Sequence, residues 1–287
     1  MSKVILLTGT SSGFGAHAAP LLAEKGHRVY ATMRDPEARN KAAAAALRAK
    51  NSNIAVLELE LEEAASIQAA VDQIIAREGR VDVLINNAGR FYMGVGESFT
   101  DQDLQHIYNV DVLGPWRLTR AVLPHMRQRQ QGYILTVTSG LARFSCPFMT
   151  AYASAKHALE GLLQGMKYEL KPFNIDITFI EPGIYPTQVF ERSGRGSDVA
   201  RNAGYGPAGE IAEQIKGQLD GLFASGKAHS PMLVAQAMAD LVDTPAGRRP
   251  IRKPVDLDSG AFIDRLNATH EEEYAKYLTA AGMGGLL

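Results

Sequence analysis

Short apolar runs recur along the chain, each separated from the next by a segment with helical spacing. The runs at 4–7, 29–33 and 81–85 are continuous but for Asp82, and 54–61 alternates apolar residues with glutamate. Between them, residues 13–25, 36–50 and 64–77 carry a helical period. A strand that is apolar at every position must be buried on both faces, as in a parallel sheet covered by helices on both sides. The alternation continues with a helix over 101–127, a strand at 133–138, a long helix over 151–171 and a strand at 175–180. Such repetition predicts an α/β, doubly wound parallel sheet with right-handed crossovers.

No linker or break in composition divides the chain, so residues 1–287 are read as a single domain. The stretch from about 184 to 230 is rich in Gly, Ser and Arg and only weakly periodic. It reads as a mobile loop with one or two short helices. A helix near 232–242, a strand near 251–255 and one or two helices within 261–281 follow.

Composition narrows the classes of partner. The chain is 46% hydrophobic and 21% charged, with a formal net charge of -1 and no block of like charges. Nucleic acid and an anionic membrane both require a concentrated basic surface, so neither is expected as a partner. A single cysteine, Cys146, excludes an internal disulfide and points to a reducing compartment. No apolar run is long enough to cross a bilayer, so a soluble, cytoplasmic protein is expected. The seven histidines show no metal-ligand spacing, and no metal is expected.

Three groups of residues carry chemistry. Thr8-Gly9-Thr10-Ser11-Ser12-Gly13-Phe14-Gly15 follows the first strand, with glycines spaced G-x-x-x-G-x-G. Glycines there let the backbone turn tightly and approach a pyrophosphate on the positive end of the following helix. By itself such a turn fits a plain helix start equally well. Asn86-Asn87-Ala88-Gly89 ends the strand at 81–85, at the edge where open parallel sheets bind ligands; alone it is also an ordinary turn. Tyr152 and Lys156 lie four apart on one face of the helix over 151–171, and Ser139 ends the strand before it. An ammonium beside a phenol favours the phenolate and lowers its pKa from about 10, which suits a general acid or base. Taken alone, the pair also fits an ordinary surface contact.

Together and in this order, these segments resemble the short-chain dehydrogenase/reductase superfamily over nearly the whole chain. The runs Val29-Tyr30-Ala31-Thr32-Met33-Arg34-Asp35 and Ala158-Leu159-Glu160-Gly161 are most similar to the branch containing 17β-hydroxysteroid and retinol dehydrogenases. The resemblance implies a Rossmann-type sheet of seven strands, a nicotinamide cofactor, and a Ser–Tyr–Lys catalytic set at Ser139, Tyr152 and Lys156. It implies that Tyr152 acts as acid and base, that Lys156 holds the nicotinamide ribose and that Ser139 positions the substrate oxygen. Gly9, Ser11, Ser12, Gly13, Phe14 and Gly15 correspond to the family's phosphate turn, and Asn87, Ala88 and Gly89 to its second cofactor segment. Glu181-Pro182-Gly183 and Thr187 match the segment that holds the nicotinamide carboxamide. A homodimer or homotetramer paired through the helices over 101–127 and 151–171 is implied as well.

Two positions depart from the family pattern. Asp111, in Asp111-Val112-Leu113-Gly114, stands where the resemblance implies a catalytic asparagine that holds a water linking lysine to solvent. A carboxylate there counters the effect of Lys156 on Tyr152, so Asp111 is expected to retune the pH profile without abolishing catalysis. Asn109 lies about 200° away around a helix and does not replace it. Glu60 stands where the family has an aspartate beside the adenine.

For the cofactor, NAD-linked members place an acid at the end of the second strand, where this chain has Met33 followed by Arg34. A guanidinium attracts a 2′-phosphate and a carboxylate repels it, and Ser12 adds a hydroxyl donor. NADP(H) is therefore expected. NAD(H) is the alternative if Asp35 turns to the ribose, making an NAD-linked alcohol dehydrogenase. A non-catalytic NADP(H) sensor is a third reading, motivated by Asp111 alone. The segments that face the nicotinamide in the family carry Phe91, Tyr92, Met93, Leu141, Phe144, Phe148, Met149, Tyr185 and Phe190. They point to a small-molecule carbonyl or alcohol with an apolar body. Cys146 in the same region is read as a packed, inert thiol, and His157 is given no role.

Overall fold

The computed structural model describes residues 2–287. Seven strands form one parallel sheet in the order β3-β2-β1-β4-β5-β6-β7. They are β1 (Val4–Thr8), β2 (Arg28–Met33), β3 (Ile54–Glu58), β4 (Val83–Asn86), β5 (Gly132–Val137), β6 (Ile175–Pro182) and β7 (Arg252–Val255). The helices are α1 (Gly13–Glu24), α2 (Lys41–Lys50), α3 (Ala64–Glu78), α4 (Asp101–Tyr108), α5 (Gly114–Gln128), α6 (Thr150–Leu170), α7 (Gln188–Glu191), α8 (Val199–Gly204), α9 (Ile211–Ala224), α10 (Met232–Asp243) and α11 (Gly260–Ala280). The expected doubly wound, Rossmann-type sheet with helices on both faces is thus present.

The apolar strands explain the two layers. Successive side chains point to opposite faces, so Ile5, Leu7, Val29 and Ile85 pack with Leu22 of α1, Leu47 of α2 and Met238 of α10. Leu6, Tyr30, Leu84, Ile134 and Phe179 face the other way, against Ile74 of α3, Val122 of α5 and Leu163 of α6. Each fully buried aliphatic side chain contributes roughly 1.5–3 kcal/mol relative to an exposed one.

Polarity changes toward the C-terminal ends of the strands. Thr8, Thr32, Asn86, Thr136 and Glu181 are all buried there. Strand order reverses on either side of β1, which pairs with both β2 and β4. Ligands of open parallel sheets bind outside the C-terminal ends at such a switch point.

Two elements differ from the sequence reading. The helix expected over 101–127 is interrupted at Asn109–Leu113 by a π-turn that joins α4 to α5. The stretch from about 184 to 230, expected to be a loop with one or two short helices, contains α7, α8 and the fourteen-residue α9. Ala212, Ile215 and Leu219 of α9 pack on Phe91, Met93 and Phe190. Gly217 and Gly221 dilute that apolar stripe in the sequence. Among the described residues, no helix is long and apolar enough to cross a membrane.

Candidate active site

The turn after β1 is built by close backbone approach. Gly9 has φ +70°, and a Cβ on it would stand 2.8 Å from Ala88 Cα. A Cβ on Gly15 would stand 2.5 Å from the Gly9 carbonyl oxygen and 2.7 Å from Asn87 Nδ2. Asn87 latches this turn, donating from Nδ2 to the carbonyls of Thr8 (2.7 Å) and Gly9 (3.2 Å). Thr8 Oγ1 in turn accepts from the backbone N–H groups of Asn87 and Ala88, each at 3.0 Å. The Ser12 side chain forms no capping bond to α1, and the first turn of α1 holds no acid. The helix N-terminus therefore keeps its positive end available to an anion.

A cleft of about 950 Å³ runs along the C-terminal edge of the sheet. Gly9, Ser11, Ser12, Gly13, Phe14, Arg34, Glu60, Asn87, Ala88, Gly89, Ser139, Tyr152, Lys156, Pro182, Gly183 and Thr187 all line it. Gly15 lies beneath the turn, and Asp111 is fully buried behind the cleft wall.

Past β2 the chain makes a turn that the sequence did not reveal. Asp35 adopts φ 42°, a left-handed conformation that aspartate tolerates better than most residues. Its carboxylate pairs with Arg39 at 3.0 Å. Arg39 and Asn40 join Arg34 in lining the cleft, and Asn40 Nδ2 donates to the Arg34 carbonyl at 2.6 Å. Arg34 Nη1 also meets Glu60 Oε2 at 3.5 Å. The region gathers two guanidiniums in the cleft wall beside the end of β2, and Asp35 is engaged by one of them.

Ser139, Tyr152 and Lys156 converge at the other end of the cleft. Ser139 Oγ accepts from the Leu141 N–H at 3.1 Å, which leaves its O–H available to donate. Lys156 Nζ lies 5.4 Å from the centroid of the Tyr152 ring. Burial pushes the Tyr152 phenol up; Lys156 and the hydrogen bond with Ser139 pull it down, Asp111 pushes it up again, and it stands above its ordinary value. The expected lowering by Lys156 is present but outweighed. For Lys156, burial acts downward, while Asp111 and Tyr152 together hold the ammonium above its ordinary value. Burial raises the Asp111 carboxyl despite Lys156 and the Arg90 N–H.

Of the apolar residues expected beside the reacting centre, Phe91, Leu141, Phe144, Met149 and Phe190 line the cleft. Tyr92 and Met93 are packed in the core, Phe148 sits in a turn with φ 63°, and Tyr185 packs on Phe14. Aromatic rings run outward from Tyr152 to Phe91 (4.9 Å), Phe190 (4.8 Å further) and Phe223 (5.5 Å further). Cys146, read as a packed thiol with a place in the pocket wall as the alternative, is half-buried and lines the cleft. His157 Nδ1 bonds the Ala153 carbonyl within its own helix. Among the described residues, no group of three or more His, Cys, Asp or Glu side chains could hold a metal ion.

Behind the C-terminal ends of β5 and β6 lies a buried ionic cluster absent from the sequence reading. Thr138 Oγ1 donates to Glu160 at 2.8 Å, Arg252 Nε donates to Glu160 at 3.0 Å, and Asn267 Nδ2 donates to Glu181 at 2.6 Å. These contacts brace the residues just before Ser139 and Pro182 against α6, β7 and α11.

A family model described as short chain dehydrogenase matches residues 3–198. The 3-ketodihydrosphingosine reductase of Bacteroides thetaiotaomicron is 33% identical over 204 residues, covering 69% of this chain and 72% of that protein. Human 17-beta-hydroxysteroid dehydrogenase type 1 is 35% identical over 194 residues, covering 66% of this chain and 58% of that protein. The match thus spans less than two thirds of the human enzyme. A solved short-chain dehydrogenase from Streptomyces avermitilis is 31% identical with a TM-score of 0.77, covering 98% of this chain and 96% of that one.

Proposed function

Because the chain belongs to the short-chain dehydrogenase family of oxidoreductases, we propose that it is an NADP(H)-dependent enzyme acting on a carbonyl or secondary alcohol of an apolar substrate. The observation that supports this most directly is one continuous cleft joining the glycine turn, Arg34 and the Ser139–Tyr152–Lys156 group.

The cradle fits a dinucleotide. Any side chain on Gly9 or Gly15 would collide with the turn, so the backbone stays close to a pyrophosphate seated on the N-terminus of α1. Arg34 and Arg39 would hold a 2′-phosphate, with the Ser12 hydroxyl as a further donor. Pro182, Gly183 and Thr187 would hold the nicotinamide end. A reduced nicotinamide bound there supplies a hydride to the carbonyl carbon.

The chain's own residues handle the oxygen. Ser139 turns its O–H from Tyr152 to the carbonyl oxygen and orients it. Tyr152 donates its phenolic proton to that oxygen as negative charge develops. Lys156 stabilises the phenolate left on Tyr152. In alcohol oxidation the phenolate takes the hydroxyl proton and the order reverses. The apolar body of the substrate lies against Phe91, Leu141, Met149 and Phe190. Leu104, Leu113 and Leu162 are exposed on the helices implied to pair subunits, which supports a homo-oligomer.

Titrating NADPH and NADH separately into wild-type protein and Arg34→Ala tests the cofactor reading. The expected result is at least tenfold tighter NADPH binding, about 1.4 kcal/mol, with that margin lost in the variant. NADH binding as tightly as NADPH contradicts it.

A further inference from the structure

The buried carboxylate in the π-turn is unused by the chemistry above. Asp111 is 0% exposed; Oδ1 accepts from the Arg90 N–H at 2.8 Å, and Oδ2 is buried with no hydrogen-bond partner. Both Asp111 Oδ1 and Lys156 Nζ approach Gly89: a Cβ there would stand 3.1 Å from the first and 3.2 Å from the second. A carboxyl group and an amine therefore meet at one backbone segment, shielded from solvent. π-Turns inside α-helices are frequent at functional sites. This one presents Asp111 inward, while Asn109, two residues earlier, is turned to Glu62 (3.2 Å) and Arg117 (2.7 Å).

The groups surrounding Asp111 come from every packed element. Lys156 and Tyr152 face it from α6, Arg90 and Tyr92 from the loop after β4, and His106 from α4. Beyond them, Glu62 bonds His106 at 3.2 Å, and Arg90 Nη1 bonds the same ring at 2.9 Å. Glu62 thus meets His106, the Arg90 N–H is given to Asp111, and Lys156 has Asp111 as its buried acid. Opposite charges that are both shielded from water interact strongly.

Resting on the assignment of Tyr152 as acid and base, we propose that Asp111 is a buried counter-ion that opposes Lys156 and so holds Tyr152 as the phenol, the form that protonates a carbonyl. Asp111 touches neither substrate nor cofactor; it is a positioning residue acting through Lys156. Its consequence is directional. The site is set for carbonyl reduction near neutral pH, and alcohol oxidation requires a higher pH to generate the phenolate. The position of Tyr152 above its ordinary value agrees with this arrangement.

The test is the pH profile of kcat/KM in both directions for wild type and Asp111→Asn, with a secondary alcohol and its ketone as probes. Asparagine keeps the size and the Arg90 contact but removes the charge. The expected result is that both profiles move to lower pH by about one unit or more, with cofactor affinity unchanged. Coincident profiles overturn the proposal. A second measurement needs only wild type and Tyr152→Phe: ultraviolet titration of tyrosinate, read as the difference between the two proteins. No difference signal is expected below about pH 9, given a free tyrosine near 10; a tyrosinate appearing near neutral pH overturns the counter-ion role. If Tyr152→Phe keeps full activity, the acid–base assignment itself fails, which is a distinct outcome.

Discussion

Arg34 Nη1 lies 3.5 Å from Glu60 Oε2 in the wall of the cleft, so the guanidinium assigned to the 2′-phosphate already has an anionic neighbour. Both side chains are partly exposed, and such a pair is worth about 0–1 kcal/mol. A phosphate must compete with Glu60 for Arg34. Glu60→Gln is therefore expected to tighten NADPH up to about fivefold with little change for NADH. Equal changes for both cofactors in a fluorescence titration would contradict the competition.

Thr8 and Asn87 tie the phosphate turn to the end of β4, and Thr8 is 1% exposed. Replacing Thr8 with valine leaves two backbone donors without their acceptor. Leaving buried polar groups unsatisfied costs about 1–3 kcal/mol. Denaturant unfolding should show that loss, and NADPH affinity should fall with it. Unchanged stability would mean that the turn holds its shape without the hydroxyl.

The row of rings from Phe91 to Phe223 carries the claim that the substrate is apolar. Phe190→Ala should raise KM for a bulky hydrophobic ketone several-fold, with NADPH affinity within about twofold of wild type. A lowered kcat at constant KM would instead place Phe190 in support of Tyr152. Phe190 packs at a tilt on Phe91, which itself packs edge-on to the tyrosine.

Glu181 gives a prediction for stability against pH. Burial and the nearby Glu160 raise its carboxyl to about 8, against the pull of Asn267, Arg252 and Arg143. In the unfolded chain a glutamate titrates near 4.3. A raised folded value means stability present at low pH and lost as pH rises through about 8. Glu181→Gln removes that dependence, so its Tm relative to wild type should become more favourable between pH 5 and 8.5. A shift of a few °C is expected, about 1 kcal/mol or more. A Tm difference that stays flat with pH would show that Glu181 does not titrate in this range.

The parallel sheet was legible because its central strands, such as β1 and β4, are apolar at nearly every position, a pattern few other environments permit. The glycine turn, Asn87 and the Ser139–Tyr152–Lys156 set were legible because their order along an alternating chain carries a family resemblance. Helix α9 was hidden by Gly217 and Gly221, although its buried stripe has helical spacing. Arg39 was hidden because it reaches the cleft only through the left-handed turn at Asp35. The Glu160–Arg252 and Glu181–Asn267 contacts join residues 92 and 86 apart in sequence, and nothing local announces them. The net direction of the Tyr152 shift was missed for a different reason. The spacing to Lys156 is visible in sequence, whereas the burial that outweighs it is a property of the folded site.

The most direct test of the account is NADPH oxidation, followed at 340 nm, with a panel of bulky apolar ketones and with wild type and Tyr152→Phe side by side. The account predicts ketone-dependent turnover by wild type and a loss of about 100-fold or more in kcat for the variant, as expected when a general acid is removed, with NADPH binding retained. Full activity in Tyr152→Phe would contradict the assigned chemistry, and so would wild-type protein that binds NADPH but transfers no hydride to any ketone.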